Sequence, residues 1–355
     1  MLLSKDLWRN YRLHIDLHIG APKAGSTAIQ QFLANNRLTL KRAGLSVVTL
    51  NHPEFRAFKD ATNKSKFAPL ARRRSWPFLQ KLNARISNSP NSRGIISSEY
   101  LFQIQNEWAI RLFRDITFNQ NDTLNVLLYL RDPVSTKRAM YSTAIHLGAV
   151  IPYSRYQSRL FSLQAHQLVN KWRAVFGENR LSVQLYDRSQ FPERDIKKSL
   201  VEYLRLTSTD KFNLDELDYV TGRDNSSHSP ADLEIIRALN VAHRKLAQTV
   251  TRTAPSHYQE KWLAIAKTRI AVPDVRWSED NLGHMPLSRQ QNQLIMKEYF
   301  PELDKSWFEE QSTLYLDQLP MNDKALHDTY CAAEELLAEH MRKDPSLQFL
   351  EFETE

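Results

Sequence analysis

"LHIDLHIGAPKAGSTAIQQFL", residues 13–33, joins a strand pattern to a helix pattern through a loop bounded by two glycines. The strand is predicted from strict alternation of its apolar residues, which are Leu13, Ile15, Leu17 and Ile19. The helix behind the loop is predicted from apolar residues at helical spacing, which are Ile29, Phe32, Leu33 and Leu40. A strand, a loop and a helix in this order present backbone N–H groups and the positive end of the helix dipole, so the stretch predicts an anion site.

The loop is similar to a phosphate-binding loop with a displaced lysine. In the nucleoside-triphosphatase pattern G-x-x-x-x-G-K-[ST], the lysine stands directly before the hydroxyl residue. Here the glycines keep that spacing and Ser26 and Thr27 supply the hydroxyls, but the lysine is Lys23, directly after Pro22. A triphosphate needs its lysine on the β- and γ-phosphates. Lys23 is better placed for a donor with one 5′-phosphate and one transferable group; the alternative is a glycine turn with an exposed lysine.

Three further strands are predicted at residues 94–98, 123–130 and 180–187. Alternation of strands with helices indicates an α/β fold, with a P-loop-type central parallel sheet flanked by helices. Glu99 follows the first of these strands and Arg131 follows the second. Since ligands bind beyond the carboxyl ends of such strands, both side chains are candidates for the site.

The second half of the chain is predicted to be mostly helical. Ser229 and Pro230 form a helix start, with serine as the N-cap, and later helices are expected at 287–299 and 328–342. With 8 glycines in the chain, an inter-domain hinge is hard to place. We therefore expect a single domain over residues 1–355. Its α/β core would span 13–240, and 241–355 would form a helical C-terminal extension.

Composition restricts the classes of protein that fit. The chain has 355 residues and a net charge of +8, from 48 basic and 40 acidic residues, which favours an anionic ligand. A single cysteine, Cys331, excludes an internal disulfide framework and a cysteine-rich metal site. No apolar stretch is long enough to cross a membrane, and the N-terminus lacks a secretory pattern. A bacterial cytoplasm is the expected location.

The loop resembles the 5′-phosphosulfate-binding loop of the sulfotransferases that use 3′-phosphoadenosine 5′-phosphosulfate (PAPS), whose form is P-K-x-G-[ST]-[ST]. The resemblance implies a single α/β domain related to nucleotide kinases, PAPS as co-substrate and a lysine that stabilises the leaving phosphate. The donor-binding residues that it implies are Pro22, Lys23, Ala24, Gly25, Ser26 and Thr27.

The same resemblance extends to an arginine after a buried strand that binds the 3′-phosphate. Arg131 begins the family's R-[DN]-P pattern here, and a guanidinium suits a terminal phosphate because it donates paired hydrogen bonds. The family serine normally stands eight positions later, where this chain has Ala139. Ser135 and Ser142 are the candidates to replace it. The alternative for Arg131 is an arginine that closes a turn with Asp132.

Transfer to a hydroxyl also requires a base that accepts its proton. Glu99 resembles the catalytic glutamate of heparan sulfotransferases, which also lies ahead of the 3′-phosphate strand; the alternative is a surface or ion-paired glutamate. Other candidates are His18, His52, which is predicted to lie in a loop and contact the acceptor, and His146.

A lid over the nucleotide or the acceptor is predicted in "TGRDNSSHSP", residues 221–230, where an N-x-S stretch precedes a helix. Its candidate residues are Arg223, Asn225 and Ser227. The same segment also fits an ordinary loop that caps the following helix.

The sequence therefore predicts a PAPS-dependent sulfotransferase whose acceptor is a hydroxyl of a glycan or glycolipid, without a metal and without nucleic acid as partner. Lys23 would act on the leaving phosphate and Glu99 would be the general base. One alternative is a small-molecule kinase or nucleotide hydrolase using ATP and Mg²⁺, with Asp132 as its metal ligand. The other is a non-enzymatic polyanion-binding protein, for which the basic residues are too dispersed.

Overall fold

The computed structural model of the chain describes residues 12–48, 52–64, 68–88, 91–131, 133–152, 156, 165–207, 216–220, 228–246, 256–269, 294–301 and 323–343. These residues divide into two compact units. The first comprises the described parts of 1–132, 163–224 and 291–300, and the second comprises those of 133–162, 225–290 and 301–355. The expected single domain over 1–355 stays a prediction.

A five-stranded parallel sheet forms the centre of the first unit, and the strand patterns predicted four of its strands. Its strands are β1 (His14–His18), β2 (Leu45–Val48), β3 (Arg93–Ser97), β4 (Thr123–Leu130) and β5 (Leu181–Leu185). The order across the sheet is β2-β3-β1-β4-β5, and each neighbouring pair is parallel. The carboxyl ends of β1, β3 and β4 therefore lie side by side at one edge, and this edge is where ligands bind in open α/β sheets.

Helices flank this sheet, which confirms the predicted α/β class. In chain order the helices are α1 (Ser26–Asn35), α2 (Arg37–Arg42), α3 (His52–Lys64), α4 (Ala68–Ser87), α5 (Glu99–Phe102), α6 (Glu107–Thr117), α7 (Pro133–His146), α8 (Ala165–Phe176), α9 (Ile196–Leu206), α10 (Pro230–Leu246), α11 (Ser256–Arg269) and α12 (Asp323–Lys343). α7 and α10–α12 belong to the second unit, and the others belong to the first.

The apolar residues of β1 and β4 lie in the core of the first unit. Leu17 and Ile19 are fully buried in β1 and just after it, and Leu127 and Leu128 are fully buried in β4. A parallel sheet covered on both faces requires such runs. β2 was missed by the sequence interpretation because its four residues, LSVV, are too few for a period to be recognised.

The predicted helix behind the loop is divided in two at Asn36. The Asn36 side chain donates to the carbonyl of Phe32 at 3.0 Å and to that of Asp218 at 2.7 Å, and it accepts from the Asp218 amide at 2.7 Å. Asparagine side chains compete in this way with regular helix hydrogen bonds. A tertiary contact therefore fixes the break between α1 and α2.

The second unit, in its described part, is helical. Ser229 caps α10 as predicted, since its hydroxyl accepts from the Asp232 amide at 3.1 Å while the Asp232 carboxylate accepts from the Ser229 amide at 3.3 Å. Asn240 on α10 donates to the carbonyls of Ile145 and Ala149, which ties α10 to the end of α7. The helix predicted at 328–342 is found within α12. Of the helix predicted at 287–299, residues 294–299 are helical and the others lie outside the described residues.

One local prediction was wrong. His52 was expected in a loop, but it is the first residue of helix α3. Pro53, the next residue, is tolerated in the first helical turn, where its missing N–H would have no intrahelical acceptor.

Candidate active site

The loop between β1 and α1 has a strained backbone at its lysine. Lys23 has φ 60 and Gly25, the N-cap of α1, has φ 80. A left-handed conformation is unusual for a residue with a side chain, and such residues concentrate at functional sites. The Ala24 amide donates to the Ala21 carbonyl at 3.3 Å, which closes the turn on which Lys23 stands. The Ala24 side chain is buried, Pro22 is half-buried and Thr27 is exposed.

Both glycines of the loop are required by close contacts. A Cβ atom on residue 20 would lie 2.0 Å from Ser26 Oγ. A Cβ atom on residue 25 would lie 2.6 Å from Ile196 Cδ1 and 2.7 Å from Tyr186 Cε2. Glycine is therefore needed at both positions for the loop to pass close to these side chains.

The N-terminus of α1 suits an anion. The helix has no side-chain cap and no acidic residue in its first turn, so neither feature competes for its leading amides. Ser26, the first helical residue, is 4% exposed, and no described residue hydrogen-bonds its Oγ atom. A buried hydroxyl without a partner is costly, and an anion bound at the helix start would accept its hydrogen bond.

Arg131 holds the same loop from the end of β4. Its Nη1 atom donates to the main-chain carbonyl of Lys23 at 3.0 Å, and its guanidinium lies over the Tyr186 ring at 5.4 Å from the ring centre. The Tyr186 amide donates in turn to the Leu130 carbonyl at 2.6 Å, beside the start of Arg131. Arg131 is thus fixed by the loop between β1 and α1 on one side and by an aromatic ring on the other.

Sequence reasoning missed Tyr186. Its ring occupies the space that a Cβ atom on residue 25 would need, and the Arg131 guanidinium lies over that ring. The signal was present, because Tyr186 directly follows β5 at the carboxyl edge of the sheet, where Glu99 and Arg131 follow β3 and β4.

Glu99 begins helix α5, one residue after the end of β3. The Ser98 hydroxyl caps this helix by accepting from the Tyr100 amide at 3.3 Å, and the Ser98 amide donates to the His18 carbonyl at 3.0 Å. The second hydrogen bond fixes the start of α5 to the end of β1, the strand that leads into the loop. Glu99 is half-buried.

Lys23, Glu99 and Arg131 interact electrostatically. Burial lowers the pKa of the Lys23 ammonium, the Glu99 carboxylate opposes this shift and the Arg131 guanidinium adds to it. The structure therefore brings together the cation, the carboxylate and the guanidinium that the sequence placed on three separate segments. Such a group could hold an anion at the loop and accept a proton beside it.

His18 occupies a position that does not suit a base. Its side chain is fully buried at the end of β1, and burial lowers its pKa to about 3. Its Nδ1 atom is 2.8 Å from Ser97 Oγ, and its ring packs edge-on against Tyr129. The imidazole is therefore neutral at any physiological pH and has no access to solvent.

Three other predicted site residues belong to the second unit, and further ones lie outside the described residues. Ser135 and Ser142 are half-buried on α7, in the second unit. His146 ends the same helix; its Nδ1 atom is 2.7 Å from the Ser142 carbonyl, and its ring centre lies 4.6 Å from that of His228. The predicted lid residues Arg223, Asn225 and Ser227, and Asp132 of the kinase alternative, lie outside the described residues.

The described part of the chain has no group of three or more histidine, cysteine, aspartate or glutamate residues arranged to hold a metal ion. Among the same residues, no helix combines the length and the apolar character needed to span a membrane.

Comparisons with known proteins do not assign the chain to a family. No protein-family model matches the chain, and no curated protein matches it. Among solved structures, a sulfotransferase from Alicyclobacillus acidocaldarius is similar with 15% sequence identity and a TM-score of 0.37. The match covers 65% of this chain and 94% of that one. A similarity of this size does not assign a function.

Proposed function

We propose that the protein is a sulfotransferase that moves a sulfuryl group from PAPS to a hydroxyl group of an acceptor. A carbohydrate is the favoured acceptor. One observation carries the proposal: at the carboxyl edge of the sheet, Arg131 donates to the Lys23 carbonyl and the charges of Glu99 and Arg131 act on Lys23, next to a helix whose first hydroxyl is buried without a partner among the described residues. The resemblance of the loop to the PAPS-binding pattern supplies the identity of the donor.

The residues present suit the donor's 5′-phosphosulfate. The α1 N-terminus and the Ser26 hydroxyl offer hydrogen-bond donors, and no acidic residue lies in the first turn of α1. Lys23 stands inside the loop on a strained backbone and carries a positive charge that Glu99 favours. Lys23 would stabilise the charge that develops on the leaving phosphate.

The acceptor side of the reaction would fall to Glu99. A hydroxyl that attacks sulfur loses its proton, and the half-buried Glu99 carboxylate, whose charge acts on Lys23, can accept it. The sulfur–oxygen bond to the leaving phosphate breaks as the new one forms in line with it, so the protein needs no covalent intermediate. Positioning and charge stabilisation would supply the catalysis.

Arg131 would bind the 3′-phosphate of the donor. Its Nη1 atom already donates to the Lys23 carbonyl, and a guanidinium has further N–H groups for a phosphate. Ser135 and Ser142 stay predictions as additional 3′-phosphate ligands, and His52, Arg223, Asn225 and Ser227 stay predictions as acceptor or lid residues. A bacterial cytoplasmic location is proposed with the function, consistent with the one exposed free thiol, Cys331.

The test is transfer of labelled sulfate from PAPS to a panel of glycans, glycolipids and phenols. We expect label in at least one carbohydrate, and we expect binding of adenosine 3′,5′-bisphosphate measured by calorimetry. The matched arm offers ATP with Mg²⁺ to the same panel. Phosphoryl transfer from ATP, with no affinity for adenosine 3′,5′-bisphosphate, would overturn the proposal in favour of a kinase.

A further inference from the structure

Two buried polar atoms beneath the donor loop have no hydrogen-bond partner among the described residues. They are Ser26 Oγ and His18 Nε2, on side chains that are 4% and 0% exposed. Native proteins satisfy the great majority of such atoms, because an unpaired buried polar group costs free energy. Two such atoms near one loop indicate that each has a hydrogen-bond partner in the working protein.

The two side chains converge on the same glycine. A Cβ atom on residue 20 would lie 2.0 Å from Ser26 Oγ and 3.2 Å from His18 Cε1, the carbon that is bonded to Nε2. The space left by the missing side chain of Gly20 is thus where hydroxyl and imidazole approach each other. A rotation of the Ser26 hydroxymethyl group is the smallest change that could join them.

The other ring nitrogen of His18 is already engaged. Its Nδ1 atom is 2.8 Å from Ser97 Oγ, on the last residue of β3. A neutral imidazole has one N–H donor and one acceptor, so the partner of Nδ1 decides what Nε2 can offer. Since burial keeps this ring neutral, its tautomer is the property that matters.

We infer that His18 is a positioning residue for the donor loop: its Nε2–H donates to Ser26 Oγ, which directs the Ser26 hydroxyl proton outward to the bound anion. This inference rests on the proposed function. A phosphate only accepts hydrogen bonds, so Ser26 must donate to it and accept from below. His18 Nε2 must then carry the proton, and Nδ1 accepts from the Ser97 hydroxyl. In this chain Ser97, His18 and Ser26 each donate a hydrogen bond in the direction of the anion, and hydrogen bonds in such a chain strengthen one another.

The first experiment reads the tautomer in the free protein. Nitrogen NMR of the protein labelled with ¹⁵N-histidine, assigned with His18→Gln, should show His18 neutral and protonated at Nε2. Addition of adenosine 3′,5′-bisphosphate should then shift the Nε2 signal. An Nδ1-protonated ring would overturn the inference whether or not the nucleotide binds, so this reading is separate from the proposed function.

The second experiment measures affinity for adenosine 3′,5′-bisphosphate by calorimetry. His18→Phe, which keeps a ring but has no donor, should weaken binding about tenfold. His18→Gln, whose amide can donate from a similar position, should restore most of that loss. Tyr129→Phe is the control, because it removes a hydroxyl bonded to Ser199 while keeping the ring that packs on His18.

Coupling to Ser26 completes the test. If His18 acts through Ser26, the double variant His18→Phe/Ser26→Ala should bind no more weakly than Ser26→Ala alone. Losses that multiply, or wild-type affinity in His18→Phe, would overturn the inference. Failure of the wild-type protein to bind the nucleotide would instead contradict the proposed function, and the tautomer would decide the inference.

Discussion

The Arg131 guanidinium donates a 3.0 Å hydrogen bond to the main-chain carbonyl of Lys23. This contact joins the end of β4 to the loop after β1 at the residue whose backbone is left-handed. It fixes the candidate 3′-phosphate ligand relative to the candidate catalytic lysine. Under the proposed function, Arg131 would thus affect donor binding in two ways, which can be separated by experiment.

Replacing Arg131 by alanine should weaken binding of adenosine 3′,5′-bisphosphate by about tenfold or more, because a charge-assisted pair is lost. The affinity of the same variant for adenosine 5′-phosphate, which lacks the 3′-phosphate, should fall much less. Calorimetry with both nucleotides makes the comparison. Arg111→Ala, which breaks an exposed ion pair with Glu107, is the control. Equal losses for both nucleotides would show that Arg131 acts only by holding the loop.

Replacing Glu99 by glutamine should reduce sulfuryl transfer by about 100-fold or more, since the amide cannot accept the proton. Affinity for adenosine 3′,5′-bisphosphate at neutral pH should stay close to that of the wild-type protein, so the loss appears in kcat. Glu107→Gln on α6 is the matched control at an exposed position. Undiminished transfer by Glu99→Gln would exclude Glu99 as the base.

Anion binding should weaken as the pH rises through the pKa of Lys23. Burial lowers that pKa from its ordinary value and Glu99 opposes the shift, so only the charged form at lower pH supports binding fully. Removing the carboxylate in Glu99→Gln should therefore move the loss of affinity to lower pH. Affinity for adenosine 3′,5′-bisphosphate measured between about pH 7 and pH 10 gives the profile, because the lowered pKa of Lys23 lies below the ordinary lysine value of about 10.4.

The control for this profile is Lys23→Ala, which should bind weakly and lack this pH-dependent loss. A Glu99→Gln profile shifted to higher pH would contradict the electrostatic contact between Lys23 and Glu99.

Replacing Gly20 by alanine should disrupt the loop, because its Cβ atom would collide with Ser26 Oγ. We expect a lower unfolding midpoint and at least about tenfold weaker nucleotide binding, as overpacking costs roughly 1–3 kcal/mol. The double variant Gly20→Ala/Ser26→Gly removes the colliding hydroxyl and should recover part of the stability but not the binding. No recovery of the unfolding midpoint would show that another contact makes Gly20 necessary.

A buried ion pair should make the first unit sensitive to acid. Arg93 donates to Asp16 Oδ2 from Nε at 3.1 Å and from Nη2 at 2.8 Å, across β3 and β1. Burial opposes ionisation of Asp16, but hydrogen bonds and charge from His14 and Arg93 outweigh it and hold its pKa below the ordinary value. The stabilisation is complete above the ordinary pKa near 4 and is lost as the pH falls through the lowered value.

Asp16→Asn should therefore lower the free energy of unfolding at pH 7 by about 3 kcal/mol, because it leaves Arg93 without its carboxylate. Urea unfolding at pH 7 and at about pH 3 tests this, with a smaller difference expected in acid. Asp115→Asn, at an exposed position of α6, is the control. A difference that grows in acid would contradict the lowered pKa of Asp16.

Much of the sheet could be predicted from sequence because the residues of its central strands β1, β3 and β4 are mostly buried. β4 was predicted with its observed bounds, and β1, β3 and β5 within one or two residues. β2 was missed because it is short. His52 was misplaced because Pro53 is compatible with both a loop and a first helical turn.

The sequence predicted several residues of the candidate site, but it did not predict how they are arranged in space. Glu99 and Arg131 were found because polar residues that follow buried strands gather at one edge. Tyr186 obeys the same rule but was not recognised, since an aromatic residue after a strand is not distinctive. The hydrogen bond from Arg131 to the Lys23 carbonyl has no sequence signal, because it joins residues that are 108 positions apart.

The sequence by itself determined the glycine loop, the lysine within it and the strand–loop–helix order, because these depend on local spacing and backbone freedom. Only the tertiary structure decided that Ser26 Oγ and His18 Nε2 are both buried next to Gly20. It also decided that Asn36 divides the predicted first helix, and that the charges of Glu99 and Arg131 act on the pKa of Lys23. The physical reason is that burial and electrostatic contact depend on the order of strands in the sheet. That order brings β3 and β4 to either side of β1, across long intervals of chain.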